Sequence, residues 1–456
     1  MHTRKSTNKI NRRDFLKTTG LAAAAAGVAP RLSFAADAYG DNILVFVFQR
    51  GGIDGLSFMA PMDGHPDRGN YTALRSHGTL IPSADLQSVG SGWGLHPSAS
   101  PLIDLYTNQS LAIVQAVGLL PYPNRSHFEA ERYIELGTPG NRFTTTGWLT
   151  RHLQTANNLP DSLVLPAVVT ESTIRYSLLG EPTAVTLRYP TSFDFETSYY
   201  EEEQESALGD IYAIGNGELD AAGSQALAAQ SIVESIGWSG YTPAPGAVYP
   251  TRPDDPNRLT SFAEEMQIIA QLIKAETGLR VAQTDIGGWD THNDQGNQAG
   301  GWFDENVYDL SASLLAFFTD LDVPSDIPGK TWADRVTLIC YSEFGRRAYD
   351  NSDAGTDHGW GNNMLVMGGG VNGGRLYGAW PGLAQGQLYQ KADVWAQTDY
   401  RTVFSEVLLK RFHNSQIGEI FPGFTEAQYQ PLGVCNGSLV KGDFDDPEMI
   451  FRDGLE

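Results

Sequence analysis

The stretch "GLRVAQTDIGGWDTHND", residues 278–294, contains both features on which the fold prediction depends. Its first half is an apolar run with β-branched residues, which is typical of a buried strand. Its second half changes abruptly to glycines, carboxylates and imidazoles. In an open α/β sheet, ligands bind beyond the carboxyl ends of the strands. The stretch therefore predicts a strand that delivers polar side chains to the edge of a sheet.

Five other apolar runs also have the character of buried strands. They are "NILVFVF" (42–48), "LAIVQAVG" (111–118), "LVLPAVVT" (163–170), "RVTLICYSEFG" (335–345) and "NMLVMGGG" (363–370). Amphipathic helical patterns separate several of the runs, at 126–137, 258–278 and 306–321. Continuous apolar strands that alternate with helices indicate an α/β fold, with a mainly parallel central sheet and helices on both faces.

The N-terminus has the pattern of a targeting segment rather than of a folded element. Arg12 and Arg13 precede a short Ala-rich apolar stretch, and small residues surround Ala35. This order predicts a twin-arginine signal peptide over residues 1–35 and a periplasmic or secreted mature protein, with an uncleaved N-terminal anchor as the alternative. No later stretch approaches about 20 consecutive apolar residues, so we expect a soluble mature chain without a stable membrane span.

The rest of the chain, residues 40–456, is predicted to form a single domain. The segment at about 190–257 interrupts the rhythm of strands and helices. It contains the acidic "YYEEEQE", an Ala-rich helical pattern near 220–237 and a proline-rich run. We therefore interpret this segment as a surface insertion over the sheet.

Charge excludes one class of function, and the cysteines bear on the compartment. The chain has 31 Lys and Arg against 54 Asp and Glu, a formal net charge of −23, and removal of the basic leader makes it more acidic. Such a surface argues against nucleic-acid binding, which depends on basic patches.

Of the two cysteines, Cys340 and Cys435, the first lies in the apolar run "VTLICYS". That position favours a buried free thiol over a disulfide.

Polar side chains flank five of the predicted strands. Carboxylates and imidazoles together with one hydroxyl are what a divalent-metal hydrolase needs, as ligands and as nucleophile. The catalytic candidates are Ser126 and His127, and the candidate metal ligands are Asp54, Asp290, His292, Glu343, Asp357 and His358. The expected cofactor is a divalent metal such as zinc, manganese or calcium.

Structural roles compete with these assignments. Asp54 in "GGIDG" can have a purely structural role, in which its carboxylate accepts hydrogen bonds from the backbone amides of a glycine-rich turn. "SHFE" (126–129) is a capping box, in which Ser126 caps a helix and Glu129 reaches back, although a helix N-terminus also favours an anion. Asp290 and His292 give the strongest single signal, because alternate residues of an extended chain face one way and can share a metal.

The order of these elements along the chain carries a resemblance. An Asp-Gly pair follows the first strand, a hydroxyl caps the next site helix, and an Asp and His pair follows a later strand. An acidic residue then follows "VTLICYS", and His-Gly precedes "MLVMGGGV". This order resembles the alkaline phosphatase–sulfatase superfamily, and the resemblance implies an alkaline-phosphatase-like fold.

A closer resemblance rests on longer motifs. The leader together with "QRGGIDGLS", "GLHPSASPLIDLY", "NRSHFEAERYIELG", "GGWDTHNDQ", "SEFGR", "TDHGWGN" and "LYGAWPGL" is similar to the domain of unknown function 1501 family. This resemblance covers nearly the whole mature chain. That family supplies no settled activity, so only the broader superfamily implies roles for individual residues.

The superfamily resemblance implies Asp54 as one metal ligand with Glu343 beside it, and Ser126 at the position of the nucleophile. It implies that a further metal is bound by Asp290, His292 and His358.

The chain departs from the superfamily pattern at two places. Glu343 and Phe344 stand where the superfamily usually has an Asp-His pair, and Asp290 and His292 are separated by one residue instead of three. These departures favour a single metal or a reshaped site over a complete two-zinc site.

Three classes of function remain open at this point, of which one, a carbohydrate-binding role for the nine Trp and nineteen Tyr, rests on composition alone. The first is an exported metal-dependent hydrolase of phosphate or sulfate esters, acting on a small-molecule or polymer substrate. The second is a non-catalytic secreted binding or assembly protein that kept the fold and lost turnover, which is consistent with Phe344 in place of a ligand.

The targeting prediction is tested by changing Arg12 and Arg13 together to Lys. The double variant should stay in the cytoplasm as the unprocessed precursor, because the paired arginines are the signal that directs export. Immunoblots of cytoplasmic and periplasmic fractions measure this. Normal processing of the double variant would contradict the assignment.

Overall fold

The structure is a computed structural model, and it describes residues 42–156, 159–160, 163–193, 200–437 and 440–446. The predicted signal peptide, residues 1–35, lies outside the described residues. The strands are β1 (Ile43–Gln49), β2 (Met59–Pro61), β3 (Gln87–Gly90), β4 (Trp93–Leu95), β5 (Leu111–Gly118), β6 (Ala167–Val169), β7 (Ala184–Thr186), β8 (Thr251–Arg252), β9 (Asp255–Leu259), β10 (Val281–Ile286), β11 (Val336–Ser342), β12 (Asn362–Gly368), β13 (Arg375–Tyr377) and β14 (Thr398–Asp399).

Helices occupy much of the chain between these strands. The α-helices are α1 (Gly55–Phe58), α2 (Arg68–Leu74), α3 (Pro101–Thr107), α4 (His127–Leu136), α5 (Trp148–Thr155), α6 (Glu201–Ile214), α7 (Glu218–Ser235), α8 (Ser261–Lys274), α9 (Trp302–Leu321), α10 (Trp332–Arg335), α11 (Tyr400–Arg411) and α12 (Ile417–Ile420). Single 3₁₀ turns lie at Pro97–Ala99, Tyr176–Leu178, Pro190–Ser192, Trp238–Gly240 and Gln385–Gln387.

Nine strands of the described chain form one large sheet. Its order is β13-β5-β12-β11-β1-β10-β6-β7, and β14 also pairs with β5. β1 is parallel to β10 on one side and to β11 on the other, and β12 is antiparallel to both β11 and β5. All six predicted strands are present. The prediction of an α/β fold with a mainly parallel central sheet is therefore confirmed.

Burial on both faces explains why the strands are continuously apolar. In β1, Val45 and Val47 belong to the hydrophobic cluster that contains side chains of α8 and α9. Phe46 and Phe48 point to the opposite cluster, which contains α4, α5 and α11. Phe46 packs edge-on against two aromatic rings of that layer, with ring centroids 5.6 Å apart in each pair. Each fully buried side chain of this kind contributes roughly 1.5–3 kcal/mol to folding.

The direction of β12 decides where the polar connections meet. The carboxyl ends of β1, β10 and β11 lie at one edge of the sheet because these strands are parallel. β12 runs the other way, so its amino end reaches that same edge. Residues that precede β12 therefore lie beside residues that follow the other three strands.

The segment predicted as an insertion, at about 190–257, contains two helices and a hairpin among its described residues. α6 packs against α7, and β8 pairs with β9. The chain after α7 is fixed by the buried carboxylate of Asp320 in α9. That carboxylate accepts hydrogen bonds from the hydroxyls of Tyr241 at 2.7 Å and Tyr249 at 3.0 Å. The single-domain organisation stays a prediction.

Both thiols are free and buried, as the position of Cys340 predicted. Burial raises the pKa of Cys340, and it raises the pKa of Cys435 to about 12. Within the part of the chain that the structure describes, no helix is long and apolar enough to span a membrane.

Candidate metal centre

Four connections meet at the edge of the sheet where β1, β10 and β11 end. They are residues 50–54 after β1, 119–126 between β5 and α4, 287–301 after β10, and 343–361 between β11 and β12. The turn of α4 that begins at His127 lies against the same edge. These connections carry the residues that the sequence singled out.

Three imidazoles and one carboxylate converge at this edge, with His358 at the centre. The Nε2 atom of His358 is 2.9 Å from Nε2 of His127 and 2.8 Å from Nε2 of His292. The Oδ1 atom of Asp290 is 3.2 Å from Nε2 of His358, 3.1 Å from Nε2 of His292 and 3.4 Å from Nε2 of His127. Nε2 of His127, Nε2 of His358 and Oδ1 of Asp290 lie close enough together to share one cation, and His292 adjoins His358 and Asp290 beside this group.

An oxygen atom lies behind each imidazole, next to its Nδ1 atom. For His127 this oxygen belongs to the buried carboxylate of Glu343, at 2.6 Å. For His358 it is the backbone carbonyl of Arg125, at 2.8 Å. For His292 it is the carboxylate of Asp357, at 3.4 Å. Carbonyl and carboxylate oxygens accept hydrogen bonds, so they place the proton of each neutral ring on Nδ1.

This placement of protons leaves the Nε2 lone pair of His358 facing those of both His127 and His292. A single shared proton can serve one pair of nitrogens at a time, whereas one cation can be bound by His127, His358 and Asp290 together. Zinc binds imidazole nitrogen at about 2.0–2.1 Å, so tetrahedral ligands lie about 3.3 Å apart. The separations among the ligand atoms of His127, His358 and Asp290, 2.9–3.4 Å, are close to that value. Histidine ligands of metals are usually held from behind by oxygen atoms in this way.

Charges around the cluster keep the carboxylate ionised. Burial acts to raise the pKa of Asp290, but the guanidinium of Arg346 outweighs it and lowers the pKa to about 2. Burial also acts to lower the pKa of His127, and the hydrogen bond and charge of Glu343 reverse this shift. Burial and the nearby Arg346 lower the pKa of His358. Asp290 is therefore an anion at neutral pH and suits a cation.

The side chain of Arg346 links these connections through hydrogen bonds. Its buried guanidinium donates to the backbone carbonyls of Gly51, of Gly52 at 2.6 Å, of Trp289 at 3.2 Å and of Thr356 at 2.8 Å. It also donates to Oδ1 of Asp290 at 2.6 Å. One side chain thus fixes the connections after β1 and β10 and the connection before β12.

Two glycines allow these connections to approach closely. Gly51 has a φ of +118°, a conformation that side chains rarely allow, and its N–H donates to the carboxylate of Glu343 at 2.8 Å. Gly359 lies against the backbone of Arg346, and a Cβ atom at this position would overlap that backbone. The first glycine helps to orient Glu343 behind His127, and the second allows the chain to pass Arg346 next to His358.

Asp54, predicted as a metal ligand, has other partners. Its buried carboxylate receives two hydrogen bonds from Arg75, at 2.5 and 2.9 Å. It also accepts from the amide of Gln295 at 2.9 Å and the hydroxyl of Ser57 at 2.7 Å. The carboxylate acts as a structural anchor and as the N-cap of α1.

Two other predicted ligands lie behind the histidines. Glu343 contacts Nδ1 of His127, and Asp357 contacts Nδ1 of His292. Glu343 also groups with His127 and Glu131 within reach of one cation, and the assignment of Glu343 and Asp357 as ligands stays a prediction. His127, which the sequence placed with the catalytic candidates, lies instead among the ligand atoms.

Ser126 precedes His127 at the N-cap of α4, but the predicted capping box is absent. The side chain of Ser126 makes no capping hydrogen bond. Its backbone N–H donates to the side chain of Asn124 at 2.9 Å, which takes the place of the expected bond to Glu129. Glu129 instead accepts from the amide of Asn124 at 3.0 Å and from Arg142 at 3.2 Å. The hydroxyl of Ser126 is therefore not committed to the helix.

The sequence reasoning missed the arginines of this edge. Arg346 was visible in "SEFGR", directly after a buried strand and an acidic residue, but an arginine in a loop usually indicates an exposed side chain. Arg125 and Arg347 are partly exposed, and they flank the cluster. The first pairs with Asp393, and the second lies 3.4 Å from Asp357.

Fold and site together define an α/β protein with a three-histidine, one-aspartate centre at the edge of its sheet. Residues 243–419 match the family described as "Protein of unknown function (DUF1501)". This confirms the resemblance to that family over less than half of the chain. The matched segment includes Asp290, His292 and His358, and His127 lies outside it. A search of the curated proteins found no match.

The N-terminus also matches a described signal. Residues 9–29 match the "TAT (twin-arginine translocation) pathway signal sequence". The protein is therefore exported by the twin-arginine pathway, to the periplasm or beyond the cell. The predicted localisation is confirmed.

We predict that His358→Ala abolishes zinc binding, because His358 is grouped with both His127 and Asp290 and also contacts His292. Zinc at 100 times its dissociation constant should stabilise the wild type by about 2.7 kcal/mol, and it should not stabilise the variant. Calorimetric titration and unfolding curves with and without zinc measure both effects. His77→Ala is the control, since that half-exposed ring binds Asp350 outside the cluster. Equal zinc affinity in His358→Ala and the wild type would remove His358 from the ligands.

Asp54→Ala should lower the free energy of unfolding by about 3–5 kcal/mol, because it leaves the buried guanidinium of Arg75 without its partner. The zinc affinity of the folded variant should equal that of the wild type. Asp63→Ala removes an exposed ion pair with Arg68 and should cost much less. A stable Asp54→Ala protein with weakened zinc binding would show instead that Asp54 is a metal ligand.

Proposed function

We propose that this exported protein is a metal-dependent hydrolase of phosphate or sulfate esters. The observation that carries the proposal is the grouping of the Nε2 atoms of His127 and His358 with the Asp290 carboxylate within reach of one cation, with His292 next to His358. Each imidazole is held from behind by an oxygen atom, and the carboxylate stays ionised. Such a cluster costs stability without a cation, because its lone pairs repel, and it is suited to binding one.

The chemistry of the donors favours zinc among the divalent metals. Imidazole nitrogen suits zinc and other transition metals, whereas calcium and magnesium prefer sites built from oxygen atoms alone. When bound, the ion would polarise an ester oxygen and stabilise the charge that develops in the reaction. His127, His358 and Asp290 would hold it, and Glu343 would keep the ring of His127 oriented, while His292 would lie beside the site with Asp357 behind its ring.

The surrounding charges favour an anionic substrate. The guanidiniums of Arg125, Arg346 and Arg347 and a divalent ion would face the carboxylates of Asp290, Glu343, Asp357 and Asp393. A bound divalent ion would add its positive charge to these guanidiniums, although the chain as a whole is strongly acidic and the carboxylate of Glu131 also lies near Glu343. Arg125 and Arg347 remain partly exposed at its rim, and guanidinium groups bind phosphate and sulfate oxygens well.

Ser126 is the candidate nucleophile in this proposal. It directly precedes His127, it is half-buried, and its hydroxyl makes no capping bond to α4. Its Oγ would form a bond to phosphorus or sulfur as the alcohol oxygen of the ester leaves, and the hydroxyl proton would pass to solvent. Water would then release phosphate or sulfate and restore the hydroxyl. The first N–H groups of α4 would stabilise the negative charge.

We also infer that the fold is of the alkaline phosphatase type with a single metal. Support for this comes from the mainly parallel sheet and from the order in which the site residues occur along the chain. Phe344 supports a site with one metal instead of two, because its ring lies 4.8 Å from the rings of both His127 and His358. It fills space beside the cluster where a further polar ligand would otherwise fit.

Ser126→Ala should abolish hydrolysis of aryl phosphate and sulfate esters by the zinc-loaded protein, because the variant lacks the attacking oxygen. Its free energy of unfolding should stay within about 0.5 kcal/mol of the wild type, since no capping bond is lost. The measurement is the initial rate with each ester, together with denaturant unfolding. Ser100→Ala is a matched control, because Ser100 also precedes a helix without a side-chain capping bond.

Two results would contradict the proposal. A Ser126→Ala protein as active as the wild type would exclude Ser126 as the nucleophile. A zinc-loaded wild type that hydrolyses no ester would favour the alternative of a secreted binding or assembly protein.

A further inference from the structure

Three aromatic rings form one cluster near the metal centre. The ring of Trp360 lies 4.8 Å from that of Tyr389 and 5.9 Å from that of Trp395. The rings of Tyr389 and Trp395 are 5.1 Å apart and meet at 89°. Trp360 is 2% exposed, and its indole N–H donates to the backbone carbonyl of Leu119 at 2.8 Å, whereas Trp395 is 43% exposed. A buried base therefore holds an exposed indole in a fixed position.

Arg125 links this cluster to the histidines. Its backbone carbonyl accepts the hydrogen bond from Nδ1 of His358 at 2.8 Å. Its guanidinium lies 6.0 Å from the centre of the Tyr389 ring and pairs with the buried carboxylate of Asp393. Trp360 also follows His358 by two residues. One residue thus spans from the metal centre to the rings, so a group bound at the centre has the aromatic cluster as its neighbour.

Polar side chains with unused hydrogen-bonding capacity border the rings. The amide of Gln390 makes two long contacts, 3.3 Å from the guanidinium of Arg125 and 3.5 Å from the hydroxyl of Tyr389. The Oδ1 atom of Asp393 is buried, and it accepts no hydrogen bond from the residues that the structure describes. A buried oxygen without a donor costs free energy, and a hydroxyl group supplied by a ligand would remove that cost.

The combination of one exposed ring with polar neighbours selects among possible ligands. Trp395 is the only large apolar side chain that is exposed in the described residues 309–437, and Gln390, Lys391 and Gln397 near it in the sequence are exposed as well. The apolar area is therefore far smaller than the roughly 800 Å² that a protein partner needs. A sugar ring has C–H groups on its faces, which suit the electron-rich face of an indole, and hydroxyls at its edge, which suit carboxylates, amides and guanidiniums. A purely apolar aryl group would leave these polar side chains unpaired.

We propose that this cluster binds a sugar ring, with Trp395 as the platform and Arg125, Asp393 and Gln390 at its edge. The proposal goes beyond the proposed function and does not depend on catalysis. Where the two meet, the sugar is the group that carries the phosphate or sulfate ester.

The test measures the binding of neutral disaccharides, which carry no anionic group for the metal centre. Cellobiose, maltose, lactose, mannobiose and diacetylchitobiose are titrated against the zinc-loaded protein. Benzyl alcohol and cyclohexylmethanol serve as rings without the hydroxyls of a sugar. At least one disaccharide should bind about tenfold or more tightly than either of these two compounds, because only the sugar satisfies both the indole face and the polar edge. Indole fluorescence and NMR line broadening of the ligand measure the affinities.

Trp395→Ala should weaken the binding of that disaccharide about tenfold or more, because the variant lacks the platform. Trp395→Phe keeps an aromatic ring and should weaken the binding by about threefold or less, which separates loss of the ring from a disturbed fold. Tyr308→Ala is the control, since Tyr308 in α9 is 54% exposed and lies outside the cluster, and it should bind like the wild type. Melting curves check that all three variants are folded.

Three results would overturn the sugar site. They are no binding of any disaccharide, binding of benzyl alcohol or cyclohexylmethanol as tight as that of the best disaccharide, and unchanged sugar affinity in folded Trp395→Ala. The rate of ester hydrolysis by the same samples tests the proposed function separately. Sugar binding without hydrolysis would support the sugar site and contradict the hydrolase, and hydrolysis without sugar binding would do the reverse.

Discussion

The buried guanidinium of Arg346 is the interaction on which the polar edge of the sheet depends. The connections that meet there are irregular, so their backbone carbonyls lack the partners that strands and helices would provide. Arg346 satisfies carbonyls of three connections and one oxygen of Asp290 at the same time. Burying a guanidinium away from water costs free energy. This cost is offset only when its N–H groups find hydrogen-bond acceptors. The relative positions of the histidines therefore depend on a residue that lies beneath them.

The sheet could be predicted from the sequence because its strands are buried on both faces. β1 is apolar at its first six positions for this reason, and the sequence marks such a strand without ambiguity. The direction of β12 is less accessible, because parallel and antiparallel strands can have the same apolar pattern. His358 precedes β12, so it can lie near Asp290 only if β12 is antiparallel to β11. If β12 were parallel, His358 would lie at the opposite edge of the sheet.

The candidate site could be predicted in composition but not in detail. Asp290, His292 and His358 were identified because imidazoles and carboxylates are conspicuous at strand ends. Which of them faces the ligand and which stands behind is set by contacts between distant residues. Glu343 meets His127 across 216 positions of the chain, and no local pattern records such a pair. Asp54 was predicted as a ligand because its ion pair with the buried Arg75 leaves no local pattern in the sequence either.

The two free thiols have a consequence for where the chain can reach its native state. Cys340 and Cys435 are buried and unbonded, so no oxidant is needed to complete the fold. Folding is then equally compatible with the reducing side of the membrane, before export, and with the oxidising side, after it. Because burial keeps both sulfur atoms protonated, they offer no thiolate for exchange or oxidation. Neither thiol therefore makes the folded protein sensitive to thiol–disulfide exchange in its surroundings.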